Sequence, residues 1–310
     1  MHRSLFAILL AAGGLGCARG EAAPAGAGSA VRGVGPTEPA RWRPEDWTTF
    51  EAKVRWAVAQ GLDSAPLGQA IARLGATFVG ATYLPGTLEA PGPERLIVNL
   101  TELDCVTFVE TVLSLIRFVR HDGLAALADS AAARRRYEGY LREWRYRGGT
   151  LDGYPSRLHY FSEWLTDNET RGRLTLIRAA IGAVPDSEPI RFMSEHVSAY
   201  RQLADSGALD AIRATEARLN ASGPRWYVPE GRIAAIADSI QDGDVIAATS
   251  TVAGLDVAHT GIAVWKDGAL HLLHAPLVGK SVEISERPLA DRILGITSQD
   301  GIMVARPRDW

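Results

Sequence analysis

Cysteine is scarce in this sequence, since the 310 residues include only Cys17 and Cys105. Because Cys17 lies in an N-terminal segment typical of an export signal, the mature chain keeps one thiol and cannot build an internal disulfide framework. Strong charge is also lacking: the formal net charge is −3, and Arg134-Arg135-Arg136 is the only short basic cluster that stands out. This balance excludes a general attraction to nucleic acid. The remaining composition, 46% apolar and 22% charged, is that of an ordinary soluble globular protein.

The N-terminus has the features of a bacterial export signal, which we assign to residues 1–22. A basic start precedes the apolar run from Leu5 to Ala12, which is too short to remain as a membrane-spanning helix. Gly16-Cys17 then resembles a lipoprotein cleavage site, so Cys17 is a candidate for lipidation and membrane anchoring, while ordinary cleavage close to Ala22 is the alternative. Residues 23–43 are rich in Ala, Gly and Pro and predict a flexible linker. Either cleavage places the mature protein in the periplasm or cell envelope.

The second cysteine lies at the start of a predicted buried helix. Asp104 is a suitable N-cap, and the residues from Val106 to Val119 are apolar nearly all round the helix, as in a helix at the centre of a protein. Cys105 would then lie in the first turn, where unpaired amides and the helix dipole favour a thiolate nucleophile. The alternative is that Cys105 is simply one more small buried residue.

The order of the predicted elements indicates the α+β class. Helical patterns dominate the chain before Val245, with short strands expected over Leu96 to Leu100 and over Trp226 to Pro229. Strands follow from Val245 onward, including a hairpin in which Val257–Trp265 and Leu270–His274 flank a turn at Lys266-Asp267-Gly268. Helices first and sheet afterwards, without a βαβ rhythm, favour α+β. No repeat or second boundary appears, so residues 44–310 are predicted to be a single domain.

Two histidines lie on the predicted hairpin, His259 near the start of one strand and His274 at the end of its partner. Paired strands bring such positions together, and a neutral imidazole can take a thiol proton and later return it to a leaving amine. A second polar side chain can orient the first, as in a Cys-His-X triad. The alternatives are solvent-facing histidines, with His271 as an equally good candidate, or a metal site, for which no recognisable ligand spacing exists. We therefore predict no metal and no cofactor.

Several motifs together resemble the NlpC-type cysteine peptidoglycan hydrolases, and more closely a bacterial branch of N-acetylmuramoyl-L-alanine amidases. The resemblance spans roughly Trp47 to Pro307, and the motifs occur in family order. It implies a rearranged papain-like fold in which the nucleophile helix packs on an antiparallel sheet bearing the histidines. The motifs are Thr82-Tyr83-Leu84-Pro85-Gly86-Thr87-Leu88-Glu89, Asp104-Cys105-Val106-Thr107-Phe108-Val109-Glu110, Gly153-Tyr154-Pro155-Ser156-Arg157-Leu158-His159-Tyr160, Phe192-Met193-Ser194, His259-Thr260-Gly261-Ile262-Ala263 and Leu272-Leu273-His274-Ala275.

The resemblance also implies a role for individual residues. Cys105 would be the nucleophile, His259 the general base and acid, His274 the orienting residue, and Tyr83 a hydroxyl that helps to stabilise the oxyanion. Arg157 would bind a stem-peptide carboxylate through its guanidinium. The substrate walls would be formed by Ser156, Arg157, His159, Tyr160, Phe192, Met193 and Ser194.

The function expected from these features is cleavage of the amide between N-acetylmuramic acid and L-alanine in peptidoglycan or soluble muropeptides, by a monomer. Two alternatives stay open. The same triad could cleave the bond between γ-D-glutamate and a diamino acid, or the fold could bind peptidoglycan without catalysis.

Overall fold

The computed structural model describes residues 40–277 and 281–309. The predicted export signal, Cys17 and nearly all of the predicted linker lie outside the described residues. None of the helices in the described part is long and apolar enough to cross a bilayer. Helices and an antiparallel sheet occur together, which confirms the predicted α+β class.

The longer helices precede the central strands of the sheet. Three of them begin at an aspartate cap, because the carboxylates of Asp104, Asp129 and Asp205 each accept a hydrogen bond from a first-turn backbone N–H. Short 3-10 helices join several elements. The α-helices are α1 (Pro44–Ala59), α2 (Leu67–Ala76), α3 (Cys105–His121), α4 (Ser130–Arg145), α5 (Phe161–Thr170), α6 (Phe192–Glu195), α7 (Ser206–Ala221), α8 (Ile233–Ile236) and α9 (Leu289–Leu294).

The strands form one large sheet and one small ribbon within the described residues. The large sheet is antiparallel in the order β4-β5-β10-β6-β7-β8-β9, with β3 also paired to β10, and the ribbon is a parallel pair of β1 and β2. The strands are β1 (Thr82–Tyr83), β2 (Glu102–Leu103), β3 (Leu174–Leu176), β4 (Val184–Asp186), β5 (Arg225–Pro229), β6 (Val245–Ser250), β7 (Val257–Lys266), β8 (Ala269–His274), β9 (Glu283–Ile284) and β10 (Gln299–Pro307).

The predicted hairpin is confirmed as β7 and β8. Asp267 and Gly268 both have positive φ, 51° and 80°, as a two-residue hairpin turn requires. The strand expected over Leu96 to Leu100 is wrong, because this segment is mostly irregular and only Ile97 forms an isolated bridge, to Arg41. One backbone hydrogen bond of this segment is made to a side chain and not to a neighbouring strand, because the N–H of Leu100 donates to Asp46 Oδ1 at 2.8 Å.

The two faces of the large sheet carry different helices. The main apolar core lies between α1 to α4 and one face, where Phe108 and Val112 of α3 belong to the same cluster as Ile262 and Leu273 of the hairpin. On the other face, Leu289 and Ile293 of α9 belong to a second cluster with strand residues. Since α3 contacts β7, the beginning of α3 lies against the strand that carries His259.

The segment leading into α3 is held by the start of α1. The Arg43 guanidinium donates to Asn99 Oδ1 at 2.9 Å and also to Thr101 and Glu102. The fully buried carboxylate of Asp46 in turn accepts from the N–H and the guanidinium of Arg43. These charge-assisted bonds fix the chain immediately before Cys105.

Gly261 allows β7 and β8 to approach each other closely. A Cβ built at this position would lie 2.7 Å from the Leu273 carbonyl oxygen and 2.9 Å from His274 Cβ. We predict that Gly261→Ala lowers the free energy of unfolding by about 1–3 kcal/mol, because the methyl group overpacks the hairpin. Urea denaturation measures this change.

Gly139→Ala is the matched control. A Cβ at Gly139 in α4 would meet no atom within 4 Å. Alanine is the better helix former, so this change should stabilise the protein by about 0.5–1 kcal/mol. Equal stability of wild type and Gly261→Ala would contradict the close approach.

Candidate active site

The first turn of α3 is shaped by a reciprocal cap. The N–H of Thr107 donates to Asp104 Oδ1 at 2.8 Å, and the N–H of Asp104 donates to Thr107 Oγ1 at 2.9 Å. This geometry confirms Asp104 as the N-cap and Cys105 as the first helical residue. Cys105 is partly exposed and forms no disulfide.

The Cys105 thiol is not ionised at rest, so the expectation of a preformed thiolate is wrong. Burial is the largest influence on its pKa, followed by the negative charge of Asp104, and together they raise the pKa of Cys105 to about 12. The backbone N–H groups of Thr260, Val106 and Cys105 itself act in the opposite direction but do not outweigh burial. A nucleophilic role therefore requires a base that takes the thiol proton.

The two predicted histidines are brought together. His259 Nε2 lies 2.8 Å from His274 Nδ1, with the ring centroids 4.9 Å apart and the planes nearly perpendicular at 84°. His259 pairs with Ala248 of β6 next to an irregularity in the register, and His274 ends β8. Because this contact uses His259 Nε2, the other ring nitrogen, Nδ1, is the one that can exchange a proton with a reacting group.

Both imidazoles are neutral. Burial holds the pKa of His259 well below its usual range, followed by the repulsion that a protonated His274 would exert and by the charge of Arg292. Burial, followed by Arg292, lowers the pKa of His274 to about 3. His274 Nε2 lies 3.7 Å from Glu283 Oε1. A proton on this nitrogen would make His274 Nδ1 the acceptor for His259, which keeps His259 Nδ1 free as a base.

Cys105 lies against β7, the strand that carries His259. The thiol faces the backbone N–H of Thr260, the residue that follows His259. No direct hydrogen bond joins Cys105 Sγ to the His259 ring among the described residues. The transfer of a proton between these two groups therefore stays a prediction.

Tyr83 lies close to the predicted nucleophile. It pairs with Leu103 in the parallel ribbon, two residues before Cys105, and its side chain is half-buried. Burial raises the pKa of the phenol, followed by the negative charge that an ionised Cys105 would carry and by that of Asp104. The phenol therefore stays protonated and able to donate a hydrogen bond, although its role at an oxyanion is untested.

Arg292 is a residue of this cluster that the sequence did not reveal. Burial lowers the pKa of its guanidinium, while the Glu283 carboxylate, and Cys105 when ionised, raise it; Arg292 in turn lowers the pKa of both histidines. It lies on α9, beyond the last motif. The only available signal was the spacing of Leu289 and Ile293, which predicts a helix docked on the sheet but not where Arg292 points.

Arg157 does not present a free guanidinium to a substrate, which corrects its predicted role. Its side chain is buried; it donates to the Leu88 carbonyl oxygen at 2.9 Å and pairs with Glu89, with Glu94 at 3.8 Å. Its guanidinium also lies over the Tyr154 ring. Arg157 thus ties the 150s segment to the segment that follows Tyr83.

Ser156 and His159 are likewise engaged within their own loop. Ser156 Oγ donates to the Gly153 carbonyl oxygen at 2.7 Å, and His159 Nε2 lies 2.9 Å from the Tyr154 carbonyl oxygen. Tyr154 and Pro155, by contrast, line a cleft of about 670 Å³ that Cys105 does not line. The cleft is separate from Cys105, so the predicted role of this loop as a substrate wall stays a prediction.

The remaining predicted wall residues belong to a separate buried cluster. The Tyr160 hydroxyl donates to Glu216 Oε1 at 2.7 Å and accepts from the Met193 N–H at 2.9 Å. Phe192 and Met193 are buried in the same cluster, and the Ser194 N–H donates to Glu216 at 3.0 Å. These contacts join α5, α6 and α7, so the described side chains support the fold rather than face a ligand.

No metal site was found: among residues 40–277 and 281–309, no group of three or more His, Cys, Asp or Glu side chains is arranged to hold an ion.

The neutral histidine pair should make the stability of the protein depend on pH in the acidic range. The folded state keeps His274 neutral down to about pH 3, whereas the unfolded chain binds a proton there below its ordinary value of 6.5. The contribution is complete above pH 6.5 and is lost as the pH falls toward 3. We predict that the melting temperature falls over this range and that His274→Asn flattens the fall.

Thermal melts at several pH values test this, with His121→Asn as the control for losing one histidine. A slope that is identical in wild type and His274→Asn would contradict the assignment.

Known proteins resemble this chain over most of its length. The model of the AmiA-like family, described as N-acetylmuramoyl-L-alanine amidase-like, matches residues 73–299. No curated protein sequence is significantly similar. Among solved structures, an N-acetylmuramoyl-L-alanine amidase from Bacteroides uniformis is 33% identical with a TM-score of 0.70, and the alignment covers 78% of this chain and 99% of the other.

Two further structures extend the comparison. A Bacteroides fragilis protein provisionally named as a xylanase is 33% identical with a TM-score of 0.68, over 75% of this chain and 98% of its own. A Legionella pneumophila protein is 20% identical with a TM-score of 0.61, over 84% and 95%, and shares the fold. From the match over residues 73–299 and the 33% identity to the B. uniformis structure, the chain belongs to the AmiA-like, N-acetylmuramoyl-L-alanine amidase-like family.

Proposed function

We propose that this protein is a cysteine-type N-acetylmuramoyl-L-alanine amidase that cleaves the amide between N-acetylmuramic acid and L-alanine. The observation that carries the proposal is the contact between His259 Nε2 and His274 Nδ1, which lie 2.8 Å apart. Thr260, the residue after His259 on β7, directs its N–H at Cys105. Family membership supports the same bond as the target. We also propose that the fold is the papain-like NlpC type, because α3 bears the cysteine and packs on the antiparallel sheet that bears the histidines.

The reaction begins from neutral groups. As the lactyl carbonyl carbon approaches Cys105, His259 accepts the thiol proton at Nδ1, and the sulfur forms a bond to that carbon. The negative charge that develops on the carbonyl oxygen is stabilised by the Tyr83 hydroxyl and by first-turn amides of α3. His274 holds the imidazolium in place through the bond at His259 Nε2.

The second half of the reaction returns the site to its starting state. His259 gives its proton to the L-alanine nitrogen, the carbon–nitrogen bond breaks, and the peptide leaves with a free amine while the lactyl group stays on sulfur as a thioester. Water then attacks the thioester carbon as His259 takes a proton from it. Breaking the carbon–sulfur bond releases the lactyl acid, and the proton returns to the thiol.

A glycosidase function, suggested by the name of the B. fragilis protein, fits the site less well. Most glycosidases use two carboxyl groups that flank the scissile bond. Here the Asp104 carboxylate is taken up by capping α3. The γ-D-glutamyl endopeptidase remains the nearest rival because it would use the same triad.

We further propose that the protein acts as a monomer in the periplasm or cell envelope, on peptidoglycan or soluble muropeptides, and that lipidation of Cys17 anchors it to the membrane. The support for export and anchoring is the N-terminal sequence alone.

Removing the nucleophile should abolish catalysis. We predict that Cys105→Ala lowers kcat by at least about 10³-fold, because the chemistry loses its covalent step. Iodoacetamide should inactivate the wild type and EDTA should not. Cys17→Ser removes the other cysteine of the chain and should keep wild-type activity in solution.

Mass spectrometry of digested muropeptides identifies the bond. The amidase releases a peptide that begins with L-alanine and a sugar without it, whereas the endopeptidase leaves L-alanine on the sugar. Inactivation by EDTA but not by iodoacetamide would refute the cysteine mechanism.

The hydroxyl of Tyr83 should contribute to the transition state rather than to binding. We predict that Tyr83→Phe lowers kcat about 10²-fold with little change in KM, since one oxyanion donor is lost. Tyr227→Phe on β5 is the control. A Tyr83→Phe enzyme with wild-type kcat would remove Tyr83 from the mechanism.

A further inference from the structure

Arg292 belongs to the helix that packs on the other face of the large sheet from α3. It lies on α9, which contacts β8 and β10 and buries Leu289 and Ile293 in the second apolar cluster. Arg292 Nη1 donates to Gln299 Oε1 at 3.3 Å, at the first residue of β10. Gln299 pairs with Ser250 of β6, so this contact is at the same end of the sheet as His259.

The guanidinium lies within electrostatic range of each of the candidate reacting groups. Its positive charge opposes protonation of His259 and His274, and it is attracted by the Glu283 carboxylate and by Cys105 when that thiol is ionised. Its side chain is partly exposed, so a ligand can reach it.

Among the residues that the structure describes, Arg292 differs from the buried arginines Arg145 and Arg157 in having no ion-pair partner. Arg145 pairs with Glu110 at 2.7 Å, and Arg157 pairs with Glu89. Within residues 40–277 and 281–309, no carboxylate lies at ion-pair distance from Arg292, and its hydrogen bond is to a neutral amide. Desolvating a cation without a counter-ion costs free energy. Such a group beside a reactive cluster is suited to receive an anion from the substrate.

The chemistry of the proposed substrate indicates which anion this is. The lactyl carboxyl of N-acetylmuramic acid is consumed in the scissile amide, so the anion must come from the peptide. In a stem that begins L-alanyl-γ-D-glutamyl, the nearest carboxylate is the α-carboxylate of D-glutamate, about 6 Å from the scissile nitrogen in an extended chain. A guanidinium can bind this carboxylate through two parallel hydrogen bonds.

We propose that Arg292 binds the α-carboxylate of the D-glutamate residue and makes the enzyme selective for stems in which that carboxylate is free rather than amidated. This inference rests on the proposed amidase function and deepens it. Arg292 is here a specificity-determining residue, separate from the groups that exchange protons.

The test compares two substrates that differ in one group: N-acetylmuramoyl-L-alanyl-D-glutamate and N-acetylmuramoyl-L-alanyl-D-isoglutamine. The full chain should cleave the free acid with a kcat/KM about 10–100-fold higher, as expected for charge-assisted hydrogen bonds. Arg292→Gln should reduce this ratio to near one, mainly by losing activity on the free acid. Arg292→Lys should retain part of the preference, since it keeps the charge but loses the planar pair of donors.

Arg287→Gln is the matched control, because it removes an exposed arginine from the segment that leads into α9. It should keep the wild-type ratio. Equal cleavage of both substrates by the wild type would overturn the proposal, as would a wild-type ratio in Arg292→Gln. An equal loss on both substrates would also overturn it, since that is the result of a merely structural role.

Failure of the amidase function would look different. In that case the wild type would release no peptide beginning with L-alanine from either substrate, or from longer muropeptides.

Discussion

The packing of the first turn of α3 against β7 is the contact on which the rest of the site depends. It places Cys105 beside the N–H of Thr260, the residue that follows His259 in the sequence. The helix is held there by apolar contacts with the hairpin and by the anchoring of its leading segment to Arg43 and Asp46. A thiol in this position is necessarily desolvated, since a helix and a sheet close around it.

Desolvation explains why the resting site carries no charge on its reacting groups. A helix N-terminus stabilises a nearby negative charge by about 0.3–1 kcal/mol, and up to about 2 kcal/mol in partly buried positions. A rise in the pKa of Cys105 from 9.0 to about 12 corresponds to roughly 4 kcal/mol, at 1.36 kcal/mol per pKa unit. Burial and the Asp104 carboxylate together therefore outweigh the helix. The same burial keeps both imidazoles neutral, which is the protonation state that the proposed transfer of the thiol proton to His259 requires.

The parts of the site that the sequence predicted are those with local signals. Asp104 before an apolar helix predicts an N-cap immediately before Cys105. A two-residue turn predicts the hairpin that brings the side chains of His259 and His274 together. The role of Arg157 was not predictable, because its partner Glu89 lies 68 residues away in the sequence and no local pattern indicates this pairing. The expected strand over Leu96 to Leu100 failed for a similar reason, since the distant carboxylate of Asp46 takes the Leu100 N–H.

The ion pair of Arg157 also limits which arginine is available to bind a substrate carboxylate. The segment after Tyr83 and the 150s loop are distant in sequence, but Arg157 joins them by binding the Leu88 carbonyl oxygen and Glu89. The Arg157 side chain is buried, so removing these partners would leave a buried cation unpaired, and its guanidinium is not released to bind a ligand carboxylate. A substrate anion must find its counter-ion elsewhere. Arg292 on the opposite face of the sheet is desolvated, lies close to the histidines and has no acidic partner among the described residues, so it meets that requirement without loss of an existing ion pair.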